Sequence, residues 1–203
     1  MRRHLNDNGV KRMPSWEELE AACADCQGCG LGATRTNIVI GVGNRTAEVL
    51  FVGEGPGYHE DMQGEPFVGA AGQLLDKMLA AISLDRQSVY IANVVKCRPP
   101  QNRDPQPEER EACLRFLRYQ TMLIRPKIIC CLGRIAAQTL ISPAFRITRE
   151  HGQWTERKGI WFTSTYHPSA LLRDESKKPE AWADLQALRR KLDALTDKEN
   201  RHD

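Results

Sequence analysis

Three absences narrow the sequence before any motif is read. No run of about 18 or more apolar residues occurs, so nothing in the chain is expected to span a bilayer. The basic start Met1-Arg2-Arg3-His4 is not followed by the apolar stretch of a secretory leader, which points to a cytoplasmic protein. No internal repeat or low-complexity tract stands out, and a formal net charge of +3 is too small to diagnose a nucleic-acid binder. A basic face can still lie within so small a sum, because the position of charges matters more than their total.

What remains is an ordinary globular composition, 41% hydrophobic and 27% charged, over 203 residues that suit one compact core. Cysteine is the exception. Seven cysteines without an export signal read as core residues, metal ligands or catalysts rather than disulfides. Cys130 and Cys131 fall in the apolar run 128–132 and read as core. Cys23, Cys26, Cys29, Cys97 and Cys113 need another explanation.

Residues 1–15 mix charge, Asn, Gly and Pro and read as a frayed tail. Ser15, with Glu18 three residues on, has the pattern of a capping box opening a short helix over 16–22. The run 48–52 is apolar and ends at glycines, as a buried strand does, and Leu74, Leu75, Met78, Leu79 and Ile82 then recur at helical spacing. The alternation continues with strand over 88–95, helix over 107–123, strand over 127–132 and helix over 135–140. Trp154 and the run 159–165 suggest a hairpin whose second arm completes the sheet. Trp182, Leu185, Leu188, Leu192 and Leu195 mark the apolar stripe of a last helix. The expected fold is α/β, a three-layer α/β/α sandwich around a mainly parallel four-stranded sheet. A tail and short helix are expected over 1–22, one domain over 23–195, and a second tail over 196–203.

In such folds the site lies beyond the carboxyl ends of the strands. That rule selects the loop 53–57, the segment 93–100 and the segment 166–173. The glycine-rich loop alone reads as an anion or ligand loop, since no Gly-Lys-Ser or Gly-Lys-Thr follows to make it a nucleotide P-loop.

These segments carry a family resemblance. Gly53-Glu54-Gly55-Pro56-Gly57-Tyr58-His59-Glu60-Asp61, continuing through Gly64-Glu65-Pro66-Phe67-Val68-Gly69-Ala70-Ala71-Gly72, is similar to the first motif of family 4 uracil-DNA glycosylases. Asn93-Val94-Val95-Lys96-Cys97-Arg98-Pro99-Pro100 resembles their middle segment, and His167-Pro168-Ser169-Ala170-Leu171-Leu172-Arg173 their second motif. The likeness runs from about Cys26 to the last helix, in the family's order.

The resemblance implies hydrolysis of the bond between uracil and deoxyribose in DNA, single- or double-stranded, by a monomer with no membrane partner and no strand cleavage. Glu54 then orients the attacking water or offsets positive charge developing on the sugar. Gly55 helps to wall the uracil pocket and Phe67 stacks on the extruded base. The amide of Asn93 can accept from uracil N3–H and donate to O4 at once, a pattern that cytosine reverses. Glu60 crowds the C5 position against the thymine methyl, while His59 matches no family signature and is expected to be exposed. His167 hydrogen-bonds uracil O2 as the base departs. Ser169 belongs with the DNA contacts, Leu171 or Leu172 is the wedge that fills the vacated space, and Arg173 meets phosphate.

The paired spacing of Cys26 and Cys29 is a common chelating pattern, and in the family's arrangement Cys97 and Cys113 complete four ligands. Four thiolates suit either structural zinc or a [4Fe-4S] cluster, and spacing does not choose between them. The resemblance favours the cluster in a structural role. Cys23 also pairs with Cys26 at the same spacing, but the offset to Arg35-Thr36 matches the family for Cys26 and Cys29. A relative that links covalently to DNA carries Gln at the place of Gly55 and a histidine in an Arg-rich loop; residues 98–106 hold no histidine.

Overall fold

The structure, a computed structural model, describes residues 15–199, with the side chain of residue 199 left aside. The tail expected over 1–15 therefore lies almost wholly outside the described residues. Helix α1 (Trp16–Ala24) opens with the capping box read from sequence, Ser15 Oγ accepting from Glu18 N and Glu18 returning a bond to Ser15 N.

Four short parallel strands form the middle of the sheet: β2 (Val49–Gly53), β3 (Tyr90–Asn93), β4 (Ile128–Leu132) and β6 (Ile160–Thr165). Two antiparallel edges extend it to six, with β1 (Val42–Gly43) beside β3 and β5 (Thr155–Arg157) beside β6. The hairpin of β5 and β6 is the one expected from sequence. The β1 edge is two residues long and too short to leave a periodic signal. The order is β1-β3-β2-β4-β6-β5.

Strand periodicity divides the core into two layers. Leu50, Val52, Ile129 and Cys131 face α1, α4 (Pro107–Ile124) and α5 (Arg134–Leu140). Val49, Phe51, Ile128 and Cys130 face α3 (Ala70–Ala80), α7 (Pro168–Arg173) and α8 (Lys178–Glu199). The adjacent cysteines 130 and 131 thus serve both layers as core. On α8, Leu185, Leu188 and Leu192 are buried as expected, but Trp182 is 41% exposed and Ala181 turns inward in its place. Two further short helices, α2 (Tyr58–Gln63) and α6 (Ile147–Glu150), lie in the loops.

From β2 the chain crosses to β3 on one side and later reaches β4 on the other. The reversal opens a crevice at the carboxyl ends of the strands, where ligands bind in such sheets.

Candidate active site

A cleft of about 530 Å³ occupies this crevice. Each parallel strand feeds it from its carboxyl end: Glu54 follows β2, Asn93 closes β3, Gly133 follows β4, and Tyr166 and His167 follow β6. Gly55, Glu60, Phe67, Ser169 and Arg173 complete much of the wall. Of the residues expected to meet base or DNA, all but Leu171 and Leu172 line this one cleft.

The back of the cleft is tight. Asn93 is 2% exposed, and its amide oxygen is buried with no hydrogen-bond partner. Such an orphaned acceptor costs about 1–3 kcal/mol, which is tolerable where a ligand supplies the donor. The residue is held from behind: its carbonyl accepts from buried Lys96 Nζ at 2.9 Å, and Lys96 is tied in turn to Gln120 Oε1 at 2.6 Å. Phe67 is buried with a left-handed backbone (φ 57°), and its ring centroid stands 5.6 Å from that of His167. Its carbonyl packs so closely on α3 that a Cβ on Gly72 would sit 1.6 Å from it.

The imidazole of His167 is oriented by its own helix end. Nδ1 lies 3.1 Å from Ser169 N and 2.8 Å from Ser169 Oγ. Since the backbone amide can only donate, Nδ1 accepts, and the neutral ring carries its proton on Nε2. Burial pushes the imidazolium form down to about 4, and Arg173 adds to the effect while Glu60 opposes it. A neutral donor at Nε2 suits a carbonyl oxygen gaining negative charge.

Glu54 has the opposite perturbation. Burial pushes its carboxyl up to about 7, and the Asp104 carboxylate adds to the rise, while Arg134 and Arg110 oppose it. Its proton therefore exchanges near neutral pH, as a general base requires.

Glu60 lines the cleft and is anchored there by backbone donors. Its Oε2 accepts from Gly57 N at 3.1 Å, and its Oε1 from Val68 N at 3.0 Å and Gly69 N at 3.1 Å. Three backbone donors commit the carboxylate to holding the loop closed, so its reach to a base is through that loop's shape. Ser169 likewise turns its hydroxyl to His167. The two leucines separate: Leu171 is 1% exposed among α3 and α8 side chains and cannot touch DNA, whereas Leu172 is 46% exposed. The expectation for Leu171 is thereby corrected, because the inward face of α7 claims it. His59 is exposed as expected.

Cys26, Cys29, Cys97 and Cys113 line a second cavity with Arg35, Ile38 and Phe116. Arg35 Nη1 donates to Cys97 Sγ at 3.2 Å, Arg115 Nη2 to Cys26 Sγ at 3.3 Å, and Lys96 N to Cys113 Sγ at 3.3 Å. Burial pushes the Cys113 thiol up to about 11 and raises that of Cys97, so positive charge brought among them is what would make them thiolates. Cys23 is fully buried in the core, outside this cavity, and is pushed up to about 12 by burial. Beyond Arg35, Thr36 and Asn37 donate their backbone N–H groups to buried Asp61 at 2.8 and 3.2 Å, tying the cysteine segment to α2, which follows the glycine-rich loop. Among the described residues no three His, Cys, Asp or Glu side chains close on a single-ion position.

Several cleft residues carried no sequence signal. Arg103, Asp104 and Arg134 line it from the segment after β3 and the start of α5. Gly53 and Gly133 shape it: a Cβ on Gly133 would meet His167 Cβ at 2.7 Å, and one on Gly53 would meet both Asn93 and Phe67. Applying the strand-end rule to β4 as well would have found Gly133, which directly follows the apolar run 128–132.

The fold and cleft are those of an α/β protein with its site at a topological switch point. Residues 40–186 match the model of the uracil DNA glycosylase superfamily. The chain is 46% identical over 184 residues to the type-4 uracil-DNA glycosylase of Archaeoglobus fulgidus, covering 87% of this chain and 92% of that one. It is 45% identical to the type-4 enzyme of Thermotoga maritima, over 75% of this chain and 81% of that one. For the type-4 enzyme of Sulfurisphaera tokodaii the identity is 42%, over 87% of this chain and 84% of the relative. The chain belongs to the uracil DNA glycosylase superfamily and, within it, to the type-4 group.

Proposed function

We propose that the protein excises uracil from DNA by hydrolysis, with the cleft as the pocket for the extruded base and the cysteine cavity as the seat of a [4Fe-4S] cluster. The observation that carries the reading is the buried, unpartnered amide oxygen of Asn93, in the same cleft as Phe67 and His167. In the bound state Asn93 accepts from uracil N3–H and donates to O4, and Phe67 stacks on the ring. His167 gives Nε2–H to O2. The bond between C1′ and N1 breaks with its electron pair leaving on uracil. A water oxygen bonds to C1′, and its proton passes to Glu54.

Four cysteines line one cavity, and Arg35, Arg115 and the Lys96 N–H are directed at their sulfurs, a donor set that suits a group taking four thiolates; the family resemblance favours a [4Fe-4S] cluster over zinc. Cys26, Cys29, Cys97 and Cys113 would hold it. When bound, the cluster supplies a four-point cross-link between the segment 26–37, the segment after Asn93 and α4. Lys96 is a buried amine, but it is committed to Asn93 O and Gln120 and lies outside the cleft. That favours simple hydrolysis over Schiff-base chemistry and strand cleavage. Arg173, which lines the cleft, would meet a phosphate, and the exposed Leu172 beside it in the chain would hold the emptied stack. The seven unpaired thiols favour a reducing compartment, the cytoplasm.

Incubation with uracil-containing single- and double-stranded DNA is the test. Free uracil and alkali-labile abasic sites support the reading, and bound DNA without release overturns it. A protein–DNA adduct resistant to denaturant would assign the chain to covalent chemistry instead. Iron and sulfide analysis with a visible spectrum tests the cluster, and zinc without iron refutes it.

A further inference from the structure

Phe67 is a bulky residue in a left-handed backbone, a conformation that persists only where the surroundings over-determine it. Both peptide groups that flank it are held. In the first, the carbonyl of Pro66 accepts from Arg86 Nη1 at 3.1 Å. In the second, the carbonyl of Phe67 accepts from Arg86 Nη2, and the N–H of Val68 donates to Glu60 Oε1 at 3.0 Å. A residue's φ and ψ are the rotations of its two flanking planar groups about Cα, so holding both planes fixes both angles. Glu60 reaches the second plane; Arg86 reaches both.

Arg86 is itself fixed in place. It lies in the turn between α3 and β3, and its Nε donates to Asp76 Oδ1 on α3 at 2.7 Å. The turn is closed from both ends: Asp85 Oδ1 accepts from Gln87 N at 3.0 Å and Ser88 N at 2.8 Å, and Ser88 Oγ accepts from Asp85 N at 2.9 Å. All three guanidinium nitrogens are thus engaged, one on the helix and two on consecutive carbonyls of the loop, a match that needs the planar fork of arginine. The backbone so held sets the ring at the back of the cleft, 5.6 Å from the His167 ring. A relaxation to negative φ would swing Cβ and carry the ring off that wall.

We propose that Arg86, which does not line the cleft, is a positioning residue for Phe67: its fork holds Phe67 in the left-handed conformation that presents the ring to the extruded base. The inference rests on the reading of Phe67 as the platform on which uracil stacks. Arg86 touches no substrate and acts through this one residue. Because the strain is held by groups outside the cleft, the platform stands ready before any base arrives.

The test is a double-mutant cycle on single-turnover uracil release, with the parent, Arg86→Met, Phe67→Ala and the double variant. Misplacing a group by roughly 1 Å costs up to about 100-fold in rate, so R86M should slow release about 10- to 100-fold where Phe67 is present. In the F67A background the same change should cost less than about twofold, since the platform is already gone. Equal slowing in both backgrounds marks a mere staple of the fold and overturns the proposal. Arg86→Lys keeps the charge and the stem but loses the fork, and should show the same dependence on Phe67 even if R86M fails to fold. An R86K protein as fast as the parent overturns the proposal too. The NOE between the amide proton and Hα of Phe67 reads the backbone of the DNA-free protein without any turnover, because those protons lie closest in the left-handed form. It should be strong in the parent and weak in R86M and R86K, and an unchanged NOE in both folded variants would refute the role of Arg86. A parent protein that releases no uracil would instead sink the hydrolytic reading, and the NOE would still decide whether Arg86 holds Phe67.

Discussion

Replacing Gly53 with alanine tests whether Asn93 and Phe67 form one pocket wall. Gly53 ends β2 outside the left-handed region, so alanine carries no backbone penalty there. The effect is purely one of space. The new Cβ would stand 2.4 Å from Asn93 Oδ1 and 2.6 Å from Phe67 Cζ, where ordinary contact begins near 3.4 Å. Asn93 or Phe67, or both, must retreat by roughly 1 Å, and a misplacement of that size costs about 100-fold in rate. That is about 2.7 kcal/mol of transition-state binding. Overpacking should also lower stability by about 1–3 kcal/mol, leaving a folded protein on which the rate can be read. The assay is single-turnover uracil release alongside a thermal melt. A Gly53→Ala protein that melts normally and cleaves within about threefold of the parent would refute the pocket as drawn.

Since burial and Asp104 hold Glu54 near 7, kcat/KM for uracil release should rise through about pH 7 and level off above it. His167, pushed down to about 4, is neutral throughout that range and adds no limb, and a limb surviving in Glu54→Gln would refute the assignment. Asn93→Leu should cut kcat/KM about 100-fold, the worth of two specific hydrogen bonds. Its melting temperature should hold or rise because an orphaned acceptor disappears, so retained activity in a destabilised protein would contradict the reading. The adjacent leucines should part company. Leu171→Ala costs about 2–5 kcal/mol of stability, read by denaturant unfolding. Leu172→Ala leaves unfolding unchanged and slows release from duplex more than from single strands, and equal slowing on both would remove it as a wedge.

Much of this was legible in the order of residues. Short apolar runs and helical apolar patterns located four parallel strands and the helices between them. The strand-end rule then led to Glu54, Asn93 and His167, which do converge. The family resemblance pointed to Asn93 as the residue that would read uracil, and its chemical type suits that role, since an amide offers a donor and an acceptor side by side. The capping box at Ser15 and the core role of Cys130 and Cys131 were local facts, and local facts survive folding.

What depended on contacts between distant segments was not written in any one of them. Glu60 stands in the sequence as an isolated carboxylate, and only folding brings the N–H groups of Gly57, Val68 and Gly69 onto it from either side of α2. Leu171 and Leu172 are identical in sequence terms, and only the packing of α7 on α3 and α8 buries one and exposes the other. Cys23 and Cys26 offered the same spacing, and the core took Cys23. Gly53 looked like one glycine among several until β3 and the loop beyond α2 were brought against it. Asp104 and Arg134, thirty positions apart, pair with each other and line one cleft with Glu54 only because their segments share one crevice. The sequence by itself determined the periods, the strand ends and the chemical types available there. Tertiary structure alone decided which groups face each other, because burial and hydrogen bonding depend on distances through space that the order of residues does not contain.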